Sequence, residues 1–262
     1  RLMRISVFAS GSSGNCALFS SEGTNILIDA GISARRICAF LSGEGLAPGD
    51  LDGILITHEH SDHVSGLPTL LRRFPLRVLA PGMAAERLRS SLPGCGEYIE
   101  EIAPGEGFAL GGAYVSAFAT MHDAAGSVGY RLDADGAFGV CTDLGCVTDE
   151  VLDCLMGVDT ALIEANHDVD MLRRGPYPAY LKRRILSDRG HLSNDDCARL
   201  AVALSAGGAE RLILGHLSRH NNTPDAAYAA VSSALSGSSA RCELLVAPPL
   251  GPLILEEKRC SA

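Results

Sequence analysis

The stretch Gly53-Ile54-Leu55-Ile56-Thr57-His58-Glu59-His60-Ser61-Asp62-His63 decides how the chain is read. Its first half is a short apolar run that suits a buried strand. Its second half places three imidazoles and Asp62 within six residues. Neutral imidazole nitrogens and an ionised carboxylate are ligands for divalent metals, and a loop leaving a strand end gathers them without a long-range closure cost. A solvated polar turn also tolerates histidine, but not at this density.

Working outward, the 262 residues are long enough for a large core, and 47% are hydrophobic with 29 glycines and no tryptophan. That composition fits a folded enzyme-like chain and excludes disordered and fibrous classes. No apolar run approaches the roughly 20 residues of a membrane span, so no membrane association is expected. The start passes from a short apolar run into Ser and Gly, which reads as a strand rather than a signal peptide. The nine cysteines are scattered without a CxxC pair and are odd in number, the pattern of reduced thiols in a cytoplasmic protein. A formal net charge of −9 argues against binding a polyanion over the whole surface, but leaves room for a local basic strip or a metal-centred anion site.

Strands are expected at 5–9, 17–20, 25–29, 53–57, 76–80, 114–119, 128–132, 138–142, 160–164, 211–215, 243–247 and 253–255. Helices are expected at 33–41, 83–91, 149–155, 178–186, 194–205 and 224–235. Early strands follow one another and later ones alternate with helices. This is an α+β order that suits two sheets face to face with helices outside. No linker-like stretch divides the chain, so residues 1–262 read as a single domain. The tetrapeptide Gly-His-Leu-Ser occurs at 190–193 and again at 215–218, and the residues around the two copies differ, so it marks no longer repeat.

HxHxDH after an apolar strand resembles the second motif of the metallo-β-lactamase superfamily, which implies a four-layer αββα sandwich. Ile26-Leu27-Ile28-Asp29-Ala30-Gly31 resembles the first motif, whose Asp braces the histidine loop from behind. His122 in Thr-Met-His-Asp resembles the third, Asp143 in Cys-Thr-Asp-Leu-Gly the fourth, and His216 in Leu-Gly-His-Leu-Ser the fifth. Taken alone, His122 would read as a surface or capping residue and Asp143 as a turn residue or helix cap. The resemblance implies that His58, His60 and His122 hold one metal ion, that Asp62, His63 and His216 hold a second, and that Asp143 bridges them. A thiolate-free set of this kind suits two zinc or manganese ions, or iron.

Asp143 stands where the zinc lactamases carry Cys, and the short stretch from Asp143 to His216 leaves no room for a β-CASP insertion. Ala9-Ser10-Gly11-Ser12-Ser13-Gly14-Asn15-Cys16 and the region from Ile163 to Asn194 resemble the YycJ/WalJ group of metallo-hydrolases. That group implies 5′-to-3′ exonuclease action on DNA and a place in DNA repair. Arg173, Arg174, Lys182, Arg183, Arg184 and Arg189 face one acid, Asp188, in an otherwise acidic chain. They form either a phosphate-holding strip, with Arg183 and Arg184 as the candidate contacts, or a solvated helix face. The small-residue turn at 10–15 reads as a backbone anion cradle with Ser12 and Ser13, or as a plain hairpin turn.

The order Glu164, His191, His216 resembles tRNA-processing relatives. This implies His191 as general acid to the leaving oxygen, with Glu164 orienting it, and Asp62 as the base toward the attacking water. His191 also fits a plain position ahead of a helix cap at Ser193. His167 and His220 receive no assignment. The expected function is a dimetal phosphodiesterase acting on nucleic acid, DNA above all. The alternative is a thioester or lactone hydrolase of the glyoxalase II-like type.

Overall fold

Sequence alternation sorts the strand residues into three apolar layers. In a computed structural model, residues 2–124, 126–237 and 242–258 are described. Among them, two seven-stranded sheets form. The first contains β1 (Leu2–Ala9), β2 (Cys16–Ser21), β3 (Thr24–Ile28), β4 (Gly53–Leu55), β5 (Val78–Pro81), β6 (Ile99–Ile102) and, at the edge beside β1, the last strand β14 (Leu253–Lys258). The second runs from β7 (Gly107–Leu110) through β8 (Ala113–Ala119), β9 (Val128–Asp133), β10 (Ala137–Cys141), β11 (Thr160–Glu164) and β12 (Arg211–Gly215) to β13 (Glu243–Val246).

Successive strand side chains point to opposite faces, so a strand apolar at every position must be covered on both. In β3, Ile26 and Ile28 enter the layer between the sheets with Phe19, Leu55, Tyr130, Phe138, Leu162 and Ile213. Leu27 points the other way, toward Ile37 and Leu41 of α1 (Ala34–Gly43), with α3 (Leu67–Arg73) and α4 (Gly82–Ser91) completing that layer. On the far side, Cys141, Ile163 and Leu214 meet α5 (Asp149–Leu155), α8 (Asn194–Ala206) and α9 (Pro224–Ser236). The result is the expected α+β order of helices, sheet, sheet, helices. Full burial of an Ile or Phe contributes about 1.5–3 kcal/mol, so the middle layer, where Phe19 stacks on Phe138 at 6.4 Å, sets the spacing of the two sheets.

Every strand and helix expected from the sequence is present, with unshifted ends at 149–155, 160–164 and 211–215 and shifted ends elsewhere. The reading missed β6 and β7, which alternate poorly because they are half exposed, and three short helices: α2 (Ser61–Val64), α3 and α6 (Val169–Arg174). Each is shorter than the window over which helical periodicity can be recognised. The helix expected at 178–186 is α7 (Ala179–Ile185). None of the helices among the described residues is long and apolar enough to cross a membrane, and the eight described cysteines are free.

Candidate metal centre

The strands β3, β4 and β5 pair in parallel, as do β10, β11 and β12, so their C-terminal ends open on one edge of each sheet. Asp29 follows β3, the histidine loop follows β4, Asp143 follows β10, Glu164 ends β11 and His216 follows β12. Three of these residues adopt left-handed backbone, Asp29 at φ 58°, Asp143 at φ 60° and His216 at φ 54°. Non-glycine residues in that region are strained by roughly 1–3 kcal/mol, and such strain gathers where side-chain aim matters.

The histidine loop is aimed from behind. Asp29 accepts from the Thr57 backbone N–H at 2.9 Å, and its Oδ2 lies 2.7 Å from His63 Nδ1. A Cβ on Gly31 would stand 1.7 Å from the Asp62 carbonyl oxygen, so only glycine lets the Asp29-Ala30-Gly31 turn press against the loop. Tyr130, buried in the middle layer, donates its hydroxyl to the Ile56 carbonyl at 2.6 Å and ties the second sheet to the start of the loop. His122 Nδ1 meets the Gly190 carbonyl at 3.0 Å, leaving Nε2 for the site.

Four sets of side chains converge closely enough to share a cation. They are His58, His60 and His122; His58, His63 and Asp143; Asp62, His63 and His216; and Asp143, Glu164, His191 and His216. Asp143 lies between them, with Oδ2 3.1 Å from His63 Nε2 and 3.0 Å from His216 Nδ1, and Oδ1 3.7 Å from His122 Nε2. Asp62 Oδ2 stands 3.6 Å from His63 Nε2 and 3.9 Å from His216 Nε2. His58 Nε2, His122 Nε2, Asp143 Oδ2 and His216 Nδ1 are buried without a well-aligned hydrogen bond, although the last two face each other at 3.0 Å. Buried orphans are costly. Four of them pointing inward from imidazoles and a carboxylate fit a divalent metal centre.

Burial first, then the charge of His63, holds His58 well below the usual imidazole range, and burial likewise lowers His122. Both are therefore neutral, the state that ligates. His63 and His216 behave oppositely. Burial works against their charged forms, but Asp29 and Asp143 outweigh it for His63, and Asp143 does so for His216. Asp143, opposed by burial but flanked by His216 and His63, is held well below the carboxylate range. Cation binding here must expel protons.

Glu164 is fully buried and accepts three hydrogen-bonding groups. Oε2 takes the backbone N–H of Leu144 at 2.9 Å and of Leu192 at 3.2 Å, while Oε1 holds His191 Nδ1 at 2.8 Å. Burial opposes a charged His191, but Glu164's charge and hydrogen bond, helped by Asp143 and Asp123, push it up to about 9. The His191 ring lies 5.2 Å from that of His122 and 5.4 Å from that of His216.

The structure distributes the remaining expected residues unevenly. Ser12 and Ser13 sit at the exposed tip of the β1–β2 hairpin connection, and Ser12 lines a cavity that His191 also lines. The basic strip is mostly engaged within the protein. Arg174 pairs with Asp170, Lys182 donates to the Arg173 carbonyl, Arg189 to the His122 carbonyl, and Arg184 to Asp123. Arg183 is exposed. His167 is buried with neither ring nitrogen hydrogen-bonded, and His220 packs edge-on to Tyr177.

Sequence reasoning missed Asn15, Asp123, Tyr177 and Arg219. Asn15 Nδ2 donates to the Asp62 carbonyl and lies 3.0 Å from His63 Nε2, joining the small-residue turn to the histidine loop. Arg219 reaches Ser13 Oγ at 2.8 Å. Asn15 and Arg219 each neighbour a recognised motif, which is the one signal that pointed to them.

A family model described as a β-lactamase superfamily domain matches residues 24–217. The chain is 37% identical over 231 residues to exodeoxyribonuclease WalJ of Streptococcus pneumoniae, covering 86% of this chain and 85% of that protein. It is 36% identical over 237 residues to exodeoxyribonuclease YycJ of Bacillus anthracis, covering 89% of each. Among solved structures, the metallo-β-lactamase fold protein YhfI from Bacillus subtilis superposes with a TM-score of 0.76 at 18% identity, over 98% of this chain and 100% of that one. The strand-end placement of the five motifs and the match from residue 24 to 217 agree: the chain belongs to the β-lactamase superfamily and has the metallo-β-lactamase fold.

Proposed function

We propose that the protein is a metal-dependent exonuclease that hydrolyses DNA phosphodiester bonds. The observation that carries this reading is the convergence of a His/Asp metal centre with His191, held by Glu164 at 2.8 Å, in a chain that matches two exodeoxyribonucleases over most of its length. In the finer form of the proposal, His58, His60 and His122 would hold one ion, Asp62, His63 and His216 would hold a second, and Asp143 would serve both. The donor set suits zinc or manganese, with iron as a further candidate. When bound, such ions supply charge that lowers the pKa of a water molecule and stabilises the attacked phosphate.

The chain's own residues do the rest. Asp62 takes a proton from the attacking water. His191 holds a proton at neutral pH and gives it to the leaving oxygen, with Glu164 fixing Nδ1 so that Nε2 is the free donor. Asp29 and Thr57 keep the histidine loop in register. Arg183 and Arg184, with Ser12 and Ser13, contact the phosphate backbone. Cutting proceeds 5′ to 3′, in the cytoplasm, in a DNA repair setting, from a chain that acts as one domain. That domain reading extends to Arg1, Ala125, residues 238–241 and residues 259–262, which lie outside the described residues.

The test is the purified protein with manganese or zinc on end-labelled single- and double-stranded DNA, RNA and a generic thioester. Stepwise loss of nucleotides from DNA supports the proposal. Robust thioester cleavage with no nuclease action would overturn it in favour of the glyoxalase II-like alternative.

A further inference from the structure

Beside His191, which forms part of its wall, lies a small cavity of about 170 Å³ lined by none of the residues assigned to the two ions. Ser12, Tyr177, Arg184, Ser218 and His191 face it, with Leu181 and Ile185 of α7 as the apolar wall. It is smaller than the roughly 300–1,000 Å³ of pockets for whole small molecules, so it suits one phosphate with its sugar rather than a longer segment. Its polar rim carries several donors and one carboxylate, that of Asp123, which Arg184 covers. The Ser12 and Tyr177 side chains are at least partly exposed, and the Ser218 hydroxyl accepts from the Asn221 backbone N–H at 3.3 Å, which leaves its own proton to give. Arg184 is half exposed and paired with Asp123, an ion pair of the kind that contributes little and yields to a better acceptor.

We infer that this cavity is a subsite for the 5′-terminal phosphate of a DNA strand, with Arg184 and Ser12 as its reading residues. The inference rests on the exonuclease reading and gives that reading its polarity. Water oxygen bonds to phosphorus as its proton goes to Asp62. The P–O3′ bond breaks with its electron pair on O3′, and O3′ takes the proton of His191. The nucleotide that leaves is therefore on the His191 side, where the cavity is. When the bond cut is the first in the strand, that nucleotide is the 5′-terminal one, and the cavity meets its phosphate. The shortened strand carries a new 5′-phosphate, so each cut recreates the recognised end. A guanidinium is well matched to such a dianion.

The experiment compares 5′-phosphorylated and 5′-hydroxyl versions of one oligonucleotide duplex, read both as kcat/KM in manganese and as equilibrium binding in chelator. The expected result is a preference of about tenfold or more for the phosphorylated end, falling toward one in Arg184→Gln and in Ser12→Ala. Ser12→Ala changes no charge, and so separates recognition from general electrostatics. Arg72→Gln, which removes an exposed cation on α3 outside the cavity, should keep the preference. Cleavage without a preference, or a preference that survives both cavity substitutions, overturns the subsite and leaves the exonuclease reading standing. A binding preference without any cleavage does the reverse, and absence of both overturns both.

Discussion

The two Gly-His-Leu-Ser segments bring their rings within 5.4 Å of each other beside Asp143, but the fold delivers and holds them differently. At 215–218 the histidine follows β12 directly, is 1% exposed, and has left-handed backbone fixed by Ser10 Oγ accepting its N–H at 2.8 Å and Asn166 Nδ2 donating to its carbonyl at 2.9 Å. At 190–193 the histidine sits in the loop between α7 and α8, its side chain 21% exposed and held by one strong bond to Glu164. A Cβ on Gly190 would stand 2.2 Å from the Ile185 carbonyl oxygen, so this copy is packed against a helix end rather than a strand. The element that delivers a histidine, more than the residues beside it, decides whether the ring can serve as a rigid ligand or as a proton donor open to substrate.

The largest effect should come from His216→Ala, which on the proposed assignment removes a ligand from a buried group. Turnover is expected to fall by about 10³-fold or more with loss of bound metal, measured by single-turnover cleavage and elemental analysis. His191→Ala should cost roughly 10²–10⁴-fold in kcat while the metal stays, as expected for loss of a general acid. A loss of metal in that variant would move His191 into the ligand set that its position near Asp143, Glu164 and His216 also allows.

Glu164→Gln sharpens the contrast through pH. His191's pKa is raised from its ordinary value of 6.5 to about 9, so its protonated form, and the stability that form contributes, is complete below about 6.5 and lost as pH rises through about 9. The alkaline limb of the kcat profile should therefore lie near pH 9 in the parent, and the substitution should draw it toward neutrality. A limb that does not move would show that Glu164 does not govern this proton. The smallest effect is expected from Asn166→Ala, which strips the His216 carbonyl of its donor. It should destabilise the fold by about 1–3 kcal/mol in denaturant melts and weaken metal binding by no more than about 10–100-fold.

The histidine loop was legible from its own density of ligands after an apolar strand, and Asp29, His122, Asp143 and His216 through the order of motifs in the resemblance, because strand ends are what the sandwich brings together. Glu164 and His191 were legible as a pair only through resemblance, since nothing in their spacing announces a 2.8 Å contact. The basic strip was legible as a cluster of cations, but not its internal partners. Composition counts cations but cannot show that Arg189 turns back to the His122 carbonyl or that Arg184 is paired with Asp123. Tyr177 was invisible because its importance lies in what the fold places opposite it, and Asn15 and Arg219 were signalled only by the motifs they adjoin.

The most direct test of the different work assigned to the two segments is the metal content per chain of His191→Ala and His216→Ala, purified side by side under identical metal supply. The account predicts parental metal content in His191→Ala and a clear deficit in His216→Ala. Equal content in the two variants, whether both full or both depleted, would contradict it.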